Sequence, residues 1–467
     1  MRSSALLLLI PAIFATVTGS AAAKPGQFDL EKTKTVMTGL IEQKMKERGV
    51  PSVSIALVRG DSIVWKAAFG YANLRTKTPA TTDTLYSTGS TFKSATATAL
   101  MQLEEQGKFK LDQPVNKYLG DVQVQDRLQA EKPVTFRHML SHWSGLTAGA
   151  NTKPLWGREL PKSLEKMVAG LYSVRPPETK WEYNNYAYGM AGLLIEKISG
   201  QEYEKYMVEH VLAPLGVTTP HPVYPSPEMV EVMALPYEPG GPDGKPKPVE
   251  QVHFDVYPAG DIYLTAEDMA RFLEMHLNGG MFRGKRILSE ASVNAMHEPQ
   301  FGGTYAFGFS VRKDPNGHTI ISHSGGIPGQ SSYMAGDLDA KVGVYFMSNS
   351  GAPTVIGEAA LKLLRGEDYI PPAEPKIVSV DPSVLDRYIG VYLLSPDVAF
   401  TVSRDGNKLM LQQGDAPRKS ELAATSPTSF IAKGQDFTVI FVADPSGATT
   451  KIVLDTGSDK IDLLKQK

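Results

Sequence analysis

Cysteine is absent from the 467 residues of this sequence. Without a thiol, the chain forms no disulfide, holds no cysteine-ligated zinc or iron–sulfur cluster, and offers neither a cysteine nucleophile nor an N-terminal cysteine for lipidation. A nucleophile in this protein must therefore be another side chain. Stability outside the cytoplasm would have to come from the size of the hydrophobic core.

An excess of charge of one sign is also lacking, since 48 Lys and Arg stand against 50 Asp and Glu and the formal net charge is −2. Nucleic-acid-binding proteins usually carry a basic face, so this balance argues against a nucleic-acid partner. A hydrophobic fraction of 42% and a charged fraction of 21% are typical of globular proteins and exclude disordered and collagen-like chains. The length indicates two or three domains, or one large domain with an appendage, and specifies no oligomeric state.

Long apolar runs are confined to the N-terminus. Residues 1–23 (MRSSALLLLIPAIFATVTGSAAA) combine a basic residue, an apolar stretch and small residues at the end, which is typical of a signal peptide. The alternative is a retained membrane anchor, but Pro11 and Gly19 interrupt the run, and a spanning helix needs ~20 apolar residues. We therefore predict cleavage, export to the periplasm or the cell exterior, and no membrane span in the mature chain.

Hydrophobic periodicity and turn residues divide the chain after residue 28 into helices and strands. A surface helix over 29–48 is followed by two strands, VSIALVRG and SIVWKAAFG, which predict a hairpin. Further helices are predicted near 90–106, 162–172, 185–199, 202–213, 265–278 and 356–366, and further strands over 304–350. The middle of the 90–106 segment is small and apolar on nearly all faces, which indicates a buried helix.

A change of pattern near residue 370 predicts a second domain. The segment IPPAEP is typical of a stiff linker, and beyond it short alternating strands are separated by turns such as Asp405-Gly406. We expect the last part of the chain to form a separate all-β domain of ordinary size. The expected boundaries are 1–23 for the signal peptide, 24–367 for the first domain, 368–378 for the linker and 379–467 for the β-domain.

Ser90 and Lys93 open the buried helix with a spacing of three residues. This spacing places the serine hydroxyl and the lysine amine on one face of the helix, beside the unpaired N–H groups and the positive dipole end of its first turn. An amine that is desolvated there loses affinity for its proton and can take one from the serine.

The same spacing occurs twice more, at Ser163/Lys166 and Ser310/Lys313, so coincidence is the alternative for any one match. Location favours Ser90. Ser163 opens a segment with the pattern of an amphipathic surface helix, and Ser310 lies at a strand end that leads into the turn DPNG.

Two further elements follow Ser90 in chain order. Tyr183 and Asn185 lie at the start of a predicted helix, where a phenol could serve as a second base and a carboxamide could orient a substrate. The alternative is a capping Asn beside a half-buried core Tyr, and Tyr71-Ala72-Asn73 has the same spacing.

The third element is His323-Ser324-Gly325-Gly326 at the end of an apolar strand. Its glycines would let a substrate approach the backbone, and an N–H there could point at a developing oxyanion. The alternative is a glycine-rich strand end with a surface histidine. The three elements together, in this order, favour a catalytic site over three coincidences.

The sequence resembles the serine β-lactamase and penicillin-binding-protein superfamily, and is most similar to the hydrolases grouped with class C β-lactamases, D-aminopeptidases and D-Ala-D-Ala carboxypeptidases. The family elements Ser-x-x-Lys, Tyr-x-Asn and Lys/His-x-Gly fall on Ser90/Lys93, Tyr183/Asn185 and His323/Gly325, and stretches such as VTFRHMLSHWSGL and AGDIYLTAEDMARFL also match. The resemblance covers about 30–365. It implies an α/β (α+β) fold with an antiparallel sheet flanked by helices and an all-α subdomain, followed by a small β-barrel-like domain.

The resemblance also implies a role for each matched residue. Ser90 would be the acylated nucleophile and Lys93 its base, while Tyr183 would pass the proton to the leaving group. Asn185 would hold the substrate amide. The backbone N–H groups of Ser90 and Gly326 would form the oxyanion hole.

His323 departs from the lysine that β-lactamases and cell-wall peptidases more often have. Histidine is charged only in part near neutral pH, so the departure widens the range of substrates from β-lactams to peptides and esters. We expect an exported serine hydrolase that uses no cofactor and prefers amides in small or D-amino-acid-containing peptides. The alternatives are a carboxylesterase or weak β-lactamase with the same residues, and a catalytically idle binding or regulatory protein on this fold.

His138 and His142 are spaced for one face of a helix and could bind zinc. A third ligand is not evident from the sequence, and both residues fall in the stretch RHMLSHWSGL that matches the family. We therefore expect packing, not metal binding, from this pair.

Overall fold

The computed structural model describes residues 26–466 except for 156–162, 220–221, 224, 239–244, 352, 372–374, 396–397, 415–418, 434–436 and 456–459. The predicted signal peptide, 1–23, lies outside these described residues. Among the helices that are described, none combines the length and the apolar character needed to cross a membrane.

Local sequence signals set the ends of the helices. The first one begins after Asp29, whose side chain accepts a hydrogen bond from Lys32 N, and ends at Gly49, which takes the left-handed conformation. The α-helices of the described chain are α1 (Leu30–Arg48), α2 (Lys93–Glu105), α3 (Phe136–Leu140), α4 (Leu164–Val168), α5 (Asn185–Ser199), α6 (Tyr203–Tyr206), α7 (Ala266–Leu277), α8 (Glu290–Met296), α9 (Val355–Leu364) and α10 (Pro382–Leu385).

Three of the predicted helices differ in extent or type. The 162–172 helix is reduced to α4, because Gly170 forms a turn with Met167 and glycine is a poor helix former. The helix predicted over 202–213 consists of α6 and a π-helical segment, Met207–Leu212. The helix predicted from residue 90 starts as a 3₁₀ turn, Gly89–Phe92, and becomes α-helical only at Lys93.

A seven-stranded antiparallel sheet forms the centre of the first domain. Its strands are β1 (Ser52–Arg59), β2 (Ser62–Asn73), β3 (Thr78–Pro79), β4 (Ser310–Lys313), β5 (Thr319–Ile327), β6 (Gln330–Asp337) and β7 (Val342–Ser348). Their order across the sheet is β4-β5-β6-β7-β1-β2-β3. The N-terminal strands β1–β3 therefore join a sheet whose other four strands come from residues more than 200 positions later.

Both faces of the sheet are covered. Along β1, Val53 and Ile55 join a hydrophobic cluster with α1 and α9, whereas Ala56 and Val58 join the larger cluster that contains α2, α5 and α7. This alternation follows from the two-residue period of a strand. Helix α2 is buried over Lys93–Met101, which confirms the buried helix inferred from its composition and places Ser90 at the edge of the sheet layer.

Shorter pairings connect the loops around these layers. The segments Tyr86–Ser87 and Tyr263–Leu264 pair with each other next to the Ser90 turn, and Thr152–Pro154 pairs with Val252–Phe254. Two further short pairs are Tyr237–Glu238 with Lys247–Pro248 and Met281–Phe282 with Lys285–Arg286.

The C-terminal residues form a closed eight-stranded barrel. The alternating pattern predicts an all-β domain, and the family resemblance implies a barrel. Its strands in chain order are β8 (Gly390–Ser395), β9 (Val398–Asp405), β10 (Lys408–Gln413), β11 (Ser420–Ala424), β12 (Ser429–Ala432), β13 (Thr438–Ala443), β14 (Thr449–Asp455) and β15 (Lys460–Lys465). Pairing of β8 with β15 closes the barrel. Residues such as Tyr392, Phe430 and Phe441 form a hydrophobic core of its own, and the predicted fold class is confirmed.

The division into domains yields a testable prediction for the segment 368–378. Its described side chains include Ile370, 79% exposed, and Ile377, 60% exposed, so a protease has access to the backbone. Limited proteolysis followed by mass spectrometry should place the first cuts in this segment. A chain ending after Tyr369, which packs against the α1–α9 cluster, should keep Ser90 reactive towards a fluorophosphonate probe.

The opposite result would assign the barrel to the catalytic core. That conclusion would follow if the segment resisted cleavage and circular dichroism showed the shortened chain to be unfolded.

Candidate active site

Ser90 and Lys93 are brought into contact by the turn that precedes α2. The Lys93 Nζ donates a hydrogen bond of 2.8 Å to the Ser90 Oγ and a second, also of 2.8 Å, to the backbone carbonyl of Ala259. Lys93 is fully buried, and burial holds the pKa of its amine well below the ordinary value. A neutral amine at this distance can accept the serine proton.

The segment 258–262 lies along the Ser90 turn. The carbonyls of Pro258 and Ala259 accept hydrogen bonds from Thr96 Oγ1 and Lys93 Nζ. Gly260 has a φ of +142°, and a Cβ at this position would lie 2.0 Å from the carbonyl oxygen of Gly89. Only glycine fits this approach. The carbonyl that orients Lys93 belongs to Ala259, which lies 166 positions later in the chain. The sequence gives no direct signal for this contact.

Tyr183 lies next to both reactive groups. The Lys93 Nζ is 4.9 Å from the centre of its ring, and its hydroxyl is close enough to Ser90 for the serine to lower the pKa of the phenol. Burial among protein atoms raises the pKa of Tyr183 above its ordinary value, and Ser90 opposes part of that rise. The phenol therefore keeps its proton near neutral pH, as a group that relays a proton requires.

The adjacent asparagines have different positions. Asn184 caps α5, since its side chain accepts a hydrogen bond from Ala187 N and donates to the carbonyls of Leu146 and Thr147. Asn185 instead lines the cavity in front of Ser90. The capping role that was the alternative for the Tyr-x-Asn element therefore belongs to Asn184. Asn185 lies at the cavity and remains a candidate site residue.

His323 lies within β5 and is buried, which excludes the surface histidine considered above. Its Nδ1 donates to the carbonyl of Ser324 at 2.6 Å, and its Nε2 accepts from the hydroxyl of Tyr305 at 2.8 Å. Burial, with a smaller effect from the nearby charge of Lys93, lowers the pKa of His323 to about 3. The imidazole is neutral at pH 7, in contrast to the partial charge of an exposed histidine.

The two glycines that follow His323 bring β5 against the Ser90 turn. A Cβ on Gly325 would lie 2.3 Å from Ser332 Oγ and 2.4 Å from the carbonyl oxygen of Thr88, so the close approach requires glycine. Gly326 lines the same cavity as Ser90.

Apolar side chains line part of the cavity in front of Ser90, and Asn185 and Asp261 add polar side chains to its lining. Its other walls come from the 150 loop, the strand Val252–Phe254 with the residues after it, and the end of β5. The lining residues are Gly89, Ser90, Ala150, Asn185, Phe254, Val256, Ala259, Gly260, Asp261, Gly326 and Ile327. Such a wall favours acyl groups without charge.

The sequence profile of the Beta-lactamase family matches residues 37–366, which is more than two thirds of the chain. The chain belongs to this family. Its members are serine hydrolases of the β-lactamase and penicillin-binding-protein type, and the resemblance stated for the superfamily is confirmed.

Relatives within the family span most of this β-lactamase-family protein. Penicillin-binding protein 4* of Bacillus subtilis is 27% identical over 438 residues, 87% of this chain and 93% of its own length. Penicillin-binding protein 4 of Amycolatopsis lactamdurans is 28% identical over 358 residues, 72% of this chain and 92% of its own. The structure of an octameric penicillin-binding protein homologue from Pyrococcus abyssi superposes with a TM-score of 0.62 at 25% identity and covers 92% of this chain and all of that one.

The other Ser-x-x-Lys matches of this family member lie elsewhere. Ser163 is the exposed N-cap of α4, where its hydroxyl accepts from Lys166 N at 3.3 Å. Ser310 lies on β4, and Lys313 donates to Thr319 at the surface. Neither serine has the buried amine that Lys93 presents to Ser90.

The two histidines considered for zinc have separate partners. His138 belongs to the capping box of α3 and places its Nε2 2.9 Å from Glu178, whereas His142 packs against Tyr183 with ring centres 4.3 Å apart. Among the described residues, no group of three or more His, Asp or Glu could hold a metal ion. The contact of His142 with Tyr183 was not foreseen from the sequence, and neither was the bond from Tyr305 to His323.

Proposed function

We propose that this protein is an exported serine hydrolase that cleaves amide bonds of small or D-amino-acid-containing peptides through a Ser90 acyl-enzyme. The observation that carries the proposal is the 2.8 Å contact between Ser90 Oγ and the buried amine of Lys93. A serine hydroxyl is a weak nucleophile until a base within hydrogen-bond reach removes its proton.

Acylation starts when Lys93 accepts the proton of Ser90 and the Ser90 oxygen attacks the substrate carbonyl carbon. The carbonyl oxygen then carries the negative charge and is bound by the N–H groups of Ser90 and Gly326, each worth about 3–4 kcal/mol in comparable sites. Tyr183 donates its proton to the leaving nitrogen and recovers one from the Lys93 ammonium. The C–N bond breaks, and the acyl group remains on Ser90 as an ester.

Deacylation uses the same groups in reverse. Water attacks the ester carbonyl while the neutral Lys93 amine takes its proton, the Ser90–acyl bond breaks, and Ser90 regains a proton from Lys93. Asn185, which lines the cavity, donates its amide N–H to the substrate during both steps.

Export is proposed on the composition of 1–23, with its basic start, apolar stretch and small residues at the end. The relatives named as penicillin-binding proteins are compatible with a substrate related to peptides.

Ester hydrolysis is the second candidate, and a specific observation favours it. The cavity wall is apolar at Ala150, Phe254 and Ile327, and His323 is neutral with both nitrogens in hydrogen bonds. A neutral ester with an apolar acyl group would fit this wall without desolvating a charge.

One mass-spectrometric experiment tests these proposals. The protein is incubated with matched anilides and esters of D- and L-amino acids and with a β-lactam, and the intact mass and the acylated peptide are measured. The proposal expects an acyl adduct on Ser90. For the D-aminoacyl substrates, it also expects a ratio of anilide turnover to ester turnover above the ratio of their intrinsic chemical reactivities.

Turnover confined to esters would support the carboxylesterase instead. An adduct on another residue would overturn the assignment of the nucleophile. Failure of a fluorophosphonate probe to label the folded protein would support an idle binding protein.

A further inference from the structure

His142 combines three properties that a packing residue rarely has together. It is 1% exposed, its backbone has a φ of +66°, and its Nε2 has no hydrogen-bond partner among the described residues. A buried polar group without a partner and a left-handed backbone each cost free energy. Both occur here beside Tyr183, whose ring centre lies 4.3 Å from that of the imidazole.

The other ring nitrogen of His142 fixes the chain at Tyr183. The backbone N–H of Asn184 donates to His142 Nδ1 at 3.1 Å, so the proton of the neutral imidazole is on Nε2. The imidazole that carries this N–H packs against the rings of Tyr183, Tyr188 and Tyr305, whose centres lie 4.3, 5.4 and 4.6 Å from its own centre. Aromatic faces are weak acceptors for such a donor.

The backbone next to His142 holds the same segment. The carbonyl of His142 accepts from Glu182 N at 2.9 Å, and the carbonyl of Trp143 accepts from Glu178 N at 3.0 Å. The residue before Tyr183 and the residue after it are therefore both bonded to His142. The ring contact and the hydrogen bonds of these two neighbours to His142 together hold Tyr183 in place.

The surroundings keep His142 uncharged. Burial holds the pKa of His142 well below its ordinary value, and a positive charge on Lys93 or His323 would lower it further. The titratable groups that face it are these two and the tyrosines Tyr183, Tyr188 and Tyr305. A neutral ring beside Lys93 leaves the lysine amine as the proton acceptor of the site.

We propose that His142 is a positioning residue for Tyr183, fixing the phenol where it can pass a proton to the leaving group. The inference rests on the proposed function. Loss of this positioning should slow the hydrolysis of an anilide more than that of a p-nitrophenyl ester. The anilide needs its leaving group protonated, whereas the leaving group of the ester departs as a stable anion.

The test compares kcat/KM for an anilide and the p-nitrophenyl ester of the same acyl group. His142→Asn tolerates a positive φ but removes the ring, and His142→Phe keeps a ring but removes the acceptor for Asn184 N–H. Each variant should lose about tenfold to 100-fold on the anilide and less than about threefold on the ester, as expected for a misplaced proton donor.

Two parallel variants separate the possible failures. Tyr183→Phe should show the same selectivity, and if it does not, the role of Tyr183 in the proposed function fails. His138→Asn, four residues before His142 and in contact with Glu178, should change both rates by the same factor. Suppose that Tyr183→Phe loses more activity on the anilide than on the ester. The positioning role of His142 is then overturned if its two variants lose both activities equally, lose neither, or are both unfolded by circular dichroism.

Discussion

Replacing Ser90 with alanine should lower turnover by about 10³–10⁶-fold and leave the fold intact. The substitution removes the oxygen that forms the acyl ester, and the Lys93 amine 2.8 Å away then has no proton to accept from it. Ser90 is half-buried at the cavity and contributes little to the core. The measurements are steady-state turnover on the best substrate of the panel and the far-ultraviolet circular dichroism spectrum.

Ser163→Ala and Ser310→Ala are the matched controls, because each serine also stands three residues before a lysine. We expect both to retain nearly full activity. Ser163→Ala should instead cost about 1 kcal/mol of stability through the lost N-cap of α4. An active Ser90→Ala protein, with one of the control variants inactive, would move the nucleophile to that serine.

Lys93→Arg should be inactive, with a loss of the same order as that of Ser90→Ala. The base must be neutral to take a proton, and the guanidinium group stays protonated at every pH at which the protein is folded. The site is also fully buried, so a permanent charge there is poorly solvated. Lys93→Met is the partner variant, since it keeps a long unbranched side chain without a charge and should be folded and equally inactive.

The pH dependence of the native protein provides an independent measurement. Burial holds the pKa of Lys93 well below its ordinary value, and only the deprotonated amine is a base. The rate of Ser90 acylation should therefore rise with pH and level off well below the free-lysine pKa of ~10.4. Retained activity in Lys93→Arg, or a rate that rises only near pH 10, would exclude Lys93 as the base.

Much of the fold follows from signals that act within a few residues. Asp29 and Gly49 mark the two ends of α1, and the alternating pattern after residue 390 corresponds to the strands of the barrel. Local reasoning failed where a helix changes type, as at the 3₁₀ turn of Ser90 and the π-helical segment Met207–Leu212. There, contacts from distant segments decide which hydrogen-bonding pattern has the lowest free energy.

The sequence by itself determined which residues are chemically able to act. With no cysteine in the chain, the nucleophile had to be sought among other groups, and the three-residue spacing paired Ser90 with Lys93. Spacing could not separate that pair from two others of the same form. Nor could it tell the capping Asn184 from Asn185 on the cavity wall.

Only the tertiary structure decided the environment of those residues. The amine of Lys93 has a lowered pKa because α2 is buried, and the carbonyl of Ala259, 166 residues away, orients it. Likewise, His323 is neutral because burial lowers the pKa of its imidazole, while Tyr305 and the backbone of Ser324 bind its two ring nitrogens. Desolvation and hydrogen bonds between distant segments set these properties, and both arise only when the chain has packed.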